Sequence, residues 1–424
     1  MKQQYLNRVC EEIRCQEIHD EVRLELDSHL EDLAAEFMLT GVPEQEAMER
    51  AISQMGDPRV VGRRLDQVHK PRWEWVLLLT VISLLAFGML VLYRMGVSQS
   101  TSWDVFSNKV WTTLGGLLIG AGLFFYDYRK TKAFSKKLFY GTLMLLLMAK
   151  FLGISVNGIP YLNVGFANLN ISAYAPLLLV FAMAGIFSEW DWKRRFAWVQ
   201  ALGYFVGPTF LLMMFRSPFP VLEYALCVLV LLLVSKAGWK FVMLYGVVAF
   251  VLSAFLTVVA WQNQLVERFT YFLHPYQDPG GMGYQLVQSL EAIKHAGLWG
   301  HGVEQLSMLP ELETGFVYSY VIFTFGWVGG GVLVALIAVF LMRMFRTVRL
   351  IRESYGTFLV AVLTTYFTLH FVWGVFMTLS WLPPAPFSLP FLAHGGAQTI
   401  LQMAVVGVCL SVYRRKDMIG EVRR

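Results

Sequence analysis

Ten apolar runs constrain this chain more than any other feature of its sequence. An α-helix rises about 1.5 Å per residue, so about 20 apolar residues cross roughly 30 Å of hydrocarbon. Each run approaches or reaches that length, and the fourth and sixth are the shortest. The runs cover residues 75–93, 110–126, 138–154, 173–187, 196–215, 221–234, 241–261, 316–342, 355–381 and 391–413.

The composition supports the same conclusion. Hydrophobic residues make up 56% of the chain and charged residues only 15%, which is more apolar than soluble proteins usually are. The sequence therefore predicts an all-α polytopic membrane protein with about ten transmembrane helices. Because Lys and Arg cluster between the apolar runs, membrane orientation accounts for the basic residues, and we expect contact with membrane lipids and none with nucleic acid.

Lys and Arg are concentrated in alternate connections between the runs. The basic connections are 129–137, 193–195, 236–240 and 343–352, together with the C-terminal tail. The other connections have few basic residues, namely Arg94, Lys109, Arg216, Arg268 and Lys294. The positive-inside rule therefore predicts that both termini are cytoplasmic and that residues 262–315 form a long extracellular loop between helices 7 and 8.

Residues 1–72 differ from the rest in being polar and more acidic than basic. Apolar residues recur at helical spacing in a first segment, at Ile18, Val22, Leu26, Leu30, Leu33 and Phe37. Gly41 with Pro43, and later Asp57 with Pro58, are typical of helix ends and starts. We expect a small cytoplasmic domain of three helices over 1–72, followed by a membrane domain over 73–424.

The loop over 262–315 is far longer than the other connections predicted on its side. Loops beyond about 12–15 residues are usually functional or disordered. This one is rich in Gly, Pro, His and aromatic residues, and its apolar content argues against disorder. We therefore expect it to fold over the outer mouth of the bundle and to contain the functional site.

Two blocks of residues resemble the SEDS family, which includes FtsW, RodA and SpoVE. The first lies in the long loop, and the second precedes and opens the last apolar run. The first reads Phe272-Leu273-His274-Pro275, Asp278-Pro279, Gly283-Tyr284-Gln285, Gln288-Ser289, Gly300-His301-Gly302 and Leu309-Pro310-Glu311, and the second reads Leu382-Pro383, Leu389-Pro390-Phe391 and Gly395-Gly396. The resemblance covers about 73–424, while 1–70 resemble a short prefix domain found before some Gram-positive permeases.

The resemblance implies an activity and partners. SEDS proteins polymerise peptidoglycan from lipid II at the bacterial plasma membrane, usually with a class B penicillin-binding protein, and the resemblance allows a divalent cation as cofactor. It places substrate-binding candidates in the two blocks, and Lys150 joins them as an ionisable residue within a predicted span. The candidates are Asp278, Gln285, Gln288, Ser289, Glu311, Gly395, Gly396 and Lys150.

The sequence departs from the family where the resemblance places a catalytic carboxylate. Aligned without a gap between Leu309-Pro310-Glu311 and Phe316, Gly315 occupies the position of the family's Asp. A glycine has no side chain that can accept a proton, whereas a general base typically contributes about 10²–10⁴-fold to the rate. Glu313, two residues earlier, is the candidate for a substitute base.

Several side chains have both a structural and a functional interpretation. Lys150 either binds substrate or extends to the interface, and His370 either bridges helices by hydrogen bonds or contacts a substrate or proton. Glu223 is expected to pair with Arg216 or Lys150, or to face lipid headgroups. Asp278, Gln285 and Ser289 hold pyrophosphate or sugar, or they form ordinary turns. The spacing of the loop histidines His274, His295 and His301 matches no zinc motif.

Three functions remain open at this point. The first is a peptidoglycan glycosyltransferase acting on lipid II, with Glu313 as its base. The second is a non-catalytic scaffold or regulator of a cell-wall synthesis complex. The third, ranked last, is a transporter of a lipid-linked precursor, since few polar residues line the predicted spans.

Overall fold

The computed structural model describes residues 1–68, 72–98, 103–156, 159–163, 165, 168–215, 217–235, 237–281, 283–302 and 314–417. The chain divides into two compact units. One comprises Met1–Glu74 with Val412–Arg424, and the other comprises Trp75–Ser411.

The N-terminal unit contains four helices where the sequence predicts three. The helices are α1 (Lys2–Glu11), α2 (His19–Leu39), α3 (Glu44–Met55) and α4 (Pro58–Val68). The additional helix is α1, whose Tyr5, Leu6, Val9 and Cys10 are buried. Their spacing of one, three and one residues fits one helix face, but the segment is short and its polar residues hide the pattern.

Close packing joins α1 to α4 inside this unit. Gly62 of α4 lies against α1 so tightly that a Cβ atom there would be 2.6 Å from the Val9 carbonyl oxygen. Asp57 caps α4, because its carboxylate accepts a hydrogen bond from the backbone N–H of Arg59 at 2.9 Å. Val9, Leu30 and Ala47 have no exposed surface and form part of a continuous apolar core.

The membrane unit confirms the predicted all-α polytopic architecture. Each of the ten apolar runs corresponds to a helix in the described part of the chain, and an eleventh helix, α12, lies in the long loop. The helices are α5 (Trp75–Ser98), α6 (Trp103–Phe125), α7 (Ser135–Leu152), α8 (Ile171–Phe187), α9 (Ala197–Met213), α10 (Phe219–Val234), α11 (Trp239–Leu273), α12 (Tyr284–His295), α13 (Val317–Leu350), α14 (Ser354–Thr378) and α15 (Gly396–Arg415).

The helices differ in how fully they meet the requirements of a membrane span. Among the described residues, four of them, α5, α13, α14 and α15, are long and apolar enough to cross a bilayer singly. The helical segments Asp104–Phe125 and Tyr128–Leu152, which correspond to α6 and to α7 with its preceding turn, are bent by 93° relative to each other. Taken as a pair, they meet the requirement. The helices α8, α9 and α10 and the first part of α11 are shorter apolar helices.

Two connections differ from the sequence-based boundaries. The helix α11 continues to Leu273, so the loop between α11 and α13 begins at His274 and not at residue 262. Hydropathy marks only the apolar part of a helix, whereas backbone hydrogen bonds extend into the polar part. Between α7 and α8, three short antiparallel strands form a sheet with the order β1 (Ile154–Val156), β2 (Ile159–Asn163) and β3 (Asn168–Leu169).

The helix α13 is broken at Gly326, which has φ 69° and ψ −176°. A break leaves backbone N–H and C=O groups without helical partners, which is costly in an apolar surrounding. Residues 297–302 of the preceding loop supply the partners. His301 N–H donates to the Phe323 carbonyl at 2.9 Å, and Trp327 N–H donates to the Gly297 carbonyl at 3.2 Å.

Two further backbone bonds complete this junction. Gly302 N–H donates to the Thr324 carbonyl and Val328 N–H donates to the Leu298 carbonyl, both at 3.2 Å. The backbones approach so closely that only glycine fits at two positions. A Cβ atom on Gly300 would lie 2.5 Å from Gly326 N, and one on Gly326 would collide with the Leu298 carbonyl. Both glycines also have positive φ, which other residues rarely adopt.

We expect Gly326→Ala to lower the free energy of unfolding by on the order of 3 kcal/mol, because the added methyl group meets backbone that cannot move aside. Gly331→Ala is the matched control in the same helix, since apart from its chain neighbours and the nearby backbone of its own helix nothing lies within 4 Å of its Cβ position. That control should change stability by about 1 kcal/mol or less. Thermal unfolding of the purified proteins in detergent measures both, and equal stability of the two variants would contradict the role of the junction.

Candidate functional site

The family-like residues of the two sequence blocks meet at one end of the helical bundle. This loop-bearing end is where α11 ends and α13 begins, and it contains α12 and the irregular residues 379–395 between α14 and α15. We call residues 379–395 the signature segment. The helix α10 runs antiparallel to α14, because Cys227 contacts the Val362 carbonyl while Glu223, one turn earlier, faces His370.

A turn made of backbone contacts leads from the end of α11 into α12. The Asp278 carbonyl accepts hydrogen bonds from the N–H groups of Gly281 at 3.3 Å and Gly283 at 3.2 Å. A Cβ atom on Gly283 would collide with the Pro275 carbonyl, and one on Gly281 would collide with the Asp278 carboxylate. The two glycines therefore let the half-buried Asp278 side chain fold back over the turn.

Ser289 fixes α12 to the bundle. Its hydroxyl lies 2.6 Å from the Ser319 hydroxyl of α13 and donates to the Thr378 carbonyl of α14 at 2.9 Å. Ser289 has no exposed surface. Gln285 and Gln288 on the same helix are half-buried. The geometry gives Ser289 a structural contact within the protein, while Gln285 and Gln288 retain exposed surface at the loop-bearing end.

The signature segment is irregular backbone held by side chains of three helices. Lys109 of α6 donates to the Ala393 carbonyl at 2.8 Å and to the Thr399 hydroxyl at 2.9 Å. The Gln402 side chain accepts from Phe391 N–H at 3.0 Å. Trp373 of α14 donates to the Pro383 carbonyl at 3.0 Å. These bonds satisfy backbone groups that no helix or strand would otherwise pair.

The segment also contains strained backbone. Ser380 and Phe391 have φ angles of 58° and 69°, and within the described residues they are the non-glycine residues with positive φ. Such conformations cost of order 1–3 kcal/mol each and persist only where surrounding contacts hold them. Phe391 is 1% exposed and is held by the bond to Gln402. Phe391 belongs to the second family-like block, and Ser380 lies two residues before that block.

The remaining candidates occupy different places. Gly396 begins α15 and lies against α6, where a Cβ atom would be 2.9 Å from Thr112, while Gly395 precedes it and its carbonyl accepts from Thr399 N–H at 2.8 Å. Lys150 donates to the Met214 carbonyl at 2.7 Å, at the C-terminal end of α9. A cation at a helix C-terminus is favourable, which gives Lys150 a structural contact.

Gly315 is half-buried in the turn directly before Phe316 and α13. Glu311 and Glu313 lie outside the described residues. Within the described part of the chain, no group of three His, Cys, Asp or Glu side chains converges in a way that could hold a metal ion. The described residues do not fit a divalent cation site, so no chemical step is assigned to one.

The loop histidines contact the protein locally. The His301 ring lies 2.5 Å from the His295 carbonyl and stacks on Phe323, with ring centroids 5.1 Å apart. His295 lies 3.4 Å from the Glu291 carboxylate, one turn earlier on α12. His274 is exposed at the end of α11. The His295 and His301 rings therefore have local contacts on and beside α12.

Glu223 has a different neighbour from those expected. Its carboxylate faces His370 of α14, with Oε2 and Nε2 3.7 Å apart, while Lys150 binds Met214 instead. Arg216, the other expected partner, lies outside the described residues. Both members of the pair are buried, with Glu223 3% and His370 5% exposed. His370 also contacts the signature segment, since its Nδ1 is 3.4 Å from the Ser388 carbonyl.

Sequence reasoning missed two residues of this site. Lys109 was assigned only to membrane orientation, although it is 1% exposed and binds the signature segment. Its position at the edge of an apolar run was the available signal, because the helix can extend beyond that run, and an ionisable residue within a membrane helix is usually functional. Gln402 gave a weaker signal, since a single amide in an apolar helix has many possible partners.

We expect Lys109→Met to free the signature segment, because the Ala393 carbonyl and the Thr399 hydroxyl lose their donor. Amide exchange in residues 389–395 should become about tenfold faster, which corresponds to about 1.4 kcal/mol. Hydrogen–deuterium exchange of the full chain in nanodiscs measures this, with the exposed Lys136→Met as control. Unchanged exchange in Lys109→Met would show that the segment is held without the ammonium.

The sequence matches the family described as cell cycle protein, FtsW, RodA and SpoVE, over residues 74–418. Stage V sporulation protein E of Bacillus subtilis is 28% identical over 364 residues, covering 80% of this chain and 97% of the relative. A probable peptidoglycan glycosyltransferase FtsW of Trichlorobacter lovleyi is 24% identical over 368 residues, covering 82% and 96%.

Solved structures show the same fold. One similar chain comes from a structure concerning the coordination of polymerization and crosslinking by a peptidoglycan synthase complex. It has a TM-score of 0.67 at 23% identity, with 81% of this chain and 98% of that chain covered. The rod shape determining protein RodA of Thermus thermophilus has a TM-score of 0.60 at 18% identity, with 81% and 97% covered. The family match extends over most of the sequence, and the chain therefore belongs to the FtsW, RodA and SpoVE family, as its two sequence blocks predicted.

Proposed function

We propose that this protein acts in bacterial peptidoglycan assembly, binding lipid II at the loop-bearing end and adding its disaccharide-pentapeptide to a glycan strand. The observation that carries the proposal is family membership over 74–418. FtsW relatives are named probable peptidoglycan glycosyltransferases. The anchored signature segment and the docked α12 hold the partly exposed Gln285 and Gln288 in fixed positions at one end of the bundle, as fixed polar groups of a binding site require.

The distribution of basic residues supports an outward-facing site. Arg129 and Lys132 lie between α6 and α7, and Arg346 and Arg349 lie in the last turns of α13. The ends of α13 place the latter pair opposite the loop-bearing end. Because basic residues favour the cytoplasmic side, this arrangement supports cytoplasmic termini and a loop-bearing end outside the membrane, where lipid II is polymerised.

A class B penicillin-binding protein is the proposed partner. A structurally similar chain comes from a structure on coordinated polymerization and crosslinking in a peptidoglycan synthase complex. Membrane lipids surround the remaining apolar surface, which includes exposed Trp111, Leu118 and Phe250. Residues 1–73 precede the matched range, and we propose a regulatory or assembly role for them.

Gly315 favours a second candidate function. Its position is that of the carboxylate to which the family's catalysis is attributed, and backbone alone cannot accept the proton of a sugar hydroxyl. A scaffold that keeps the fold and the lipid II site but performs no transfer fits this observation. Glu313 is the substitute base that would keep the chain an enzyme.

Polymerisation of purified lipid II by the full chain with its penicillin-binding partner separates the two candidates. We expect slow polymerisation by the wild type. The polymerisation rate of Gly315→Asp should be at least about 10²-fold higher, because the carboxylate is restored. Thr314→Asp is the control that adds a carboxylate one residue away. If Glu313 is the base, Glu313→Ala should form no glycan product.

The outcomes are distinct. A wild type that binds lipid II but forms no glycan, with product appearing only in Gly315→Asp, would establish the scaffold. Equal rates for Gly315→Asp and Thr314→Asp would contradict the special place of position 315. A wild type that does not bind lipid II would contradict the proposal as a whole.

A further inference from the structure

Glu223 and His370 form a buried polar pair that the family resemblance does not assign. Glu223 lies near the start of α10, and His370 lies about 12 Å before the end of α14, at about 1.5 Å per residue. Both are therefore inside the bundle, beneath the loop-bearing end. Ionisable side chains in such a place are costly to bury and usually serve a function.

The hydrogen-bond geometry leaves the pair short of a donor. The Ser388 carbonyl can only accept, so Nδ1 is the donor in the contact at 3.4 Å, and Nε2 is an acceptor when the ring has this one proton. At 3.7 Å, Nε2 and Glu223 Oε2 are beyond hydrogen-bonding distance. Among the described residues, neither Nε2 nor Glu223 Oε1 has a hydrogen-bond partner.

Aromatic rings lie around His370. The His370 ring centroid lies 4.4 Å from that of Tyr366 and 5.0 Å from that of Phe387. Phe387 in turn contacts Phe219 and Trp373, with centroids 5.7 and 5.4 Å away. Aromatic walls with a few fixed polar groups are typical of small-molecule sites.

We propose that Glu223 and His370 form a subsite for a sugar hydroxyl group of the lipid-linked substrate, an inference that rests on the proposed function. A hydroxyl donates to one acceptor directly and satisfies a buried group that is otherwise costly to leave unpaired. Two ligating side chains are too few for a metal ion, which needs three or four. Hydroxyl groups on a ring also suit the aromatic surroundings, since a sugar presents both polar edges and apolar faces.

The signature segment controls entry to this subsite. Phe387 and Ser388 contact His370 from that segment, so a sugar reaches the pair only when these residues move aside. The strained backbone at Ser380 and Phe391 flanks the two residues and provides positions where the segment can change conformation. Substrate binding and the conformation of the family-like block are thereby coupled.

Three ligands in nanodiscs test the subsite with the full chain: lipid II, lipid II lacking the stem peptide, and undecaprenyl pyrophosphate. The variants are Glu223→Met and His370→Phe, which replace the acceptors with apolar groups of similar size. Thr364→Val is the control, because Thr364 is also buried on α14 and its hydroxyl donates to the Val360 carbonyl of its own helix. Glu223→Gln serves as an isosteric second variant should Glu223→Met fail to fold.

We expect both variants to bind the two sugar-bearing ligands about 10- to 100-fold more weakly, with undecaprenyl pyrophosphate affinity and the control unchanged. The unfolding temperature of Glu223→Met should not fall, because a buried oxygen atom without a hydrogen-bond partner has been removed. This combination of weaker binding and undiminished stability is not expected of a structural pair.

Four results would overturn the inference. Unchanged lipid II affinity in both variants would mean that water satisfies the two acceptors. Equal weakening for undecaprenyl pyrophosphate would indicate a general structural effect. Weakening for lipid II alone, and not for its peptide-free form, would assign the pair to the stem peptide. Failure of the wild type to bind any of the three would reject the proposed function, and this subsite with it.

Discussion

The need to pair every backbone polar group inside an apolar bundle governs this membrane unit. Two of the described stretches that depart from regular helix, the break at Gly326 and the signature segment, are each paired by specific partners. Residues 297–302 supply backbone groups to the break, while Lys109 and Gln402 supply side chains to the segment. Irregular backbone at membrane depth is tolerated where protein buries and pairs it. Helix docking and site shape both depend on this pairing.

Hydropathy and charge made most of the fold predictable from the sequence. The ten runs identified the membrane helices because apolar length is a direct requirement of the bilayer. The end of α11 was placed too early, since its polar continuation to Leu273 is invisible to hydropathy. The prediction for the N-terminal unit omitted α1, because its short apolar face, which includes Tyr5 and Val9, is interrupted by polar residues in the sequence.

The site was harder to predict than the fold, because its contacts join residues far apart in the sequence. No local pattern relates Lys109 to Ala393, or Glu223 to His370. The family resemblance located the two blocks but not the side chains that hold them. Ser289 was a candidate because it lies in the first block, but its hydroxyl is hydrogen-bonded to Ser319 and Thr378. Gly315 is the opposite case, because its proposed role depends on a missing side chain and comes from the sequence alone.

The junction between Gly300 and Gly326 has a consequence for building chimaeras within the family. The loop before α13 and the upper part of that helix share one set of backbone bonds, with neither complete alone. Exchanging residues 274–316 between relatives would separate the two sides of these hydrogen bonds. The loop of one protein would then have to pair with the helix break of another. The natural unit of exchange is longer and extends through Val328. Over evolutionary time the two glycines are expected to be retained or replaced together.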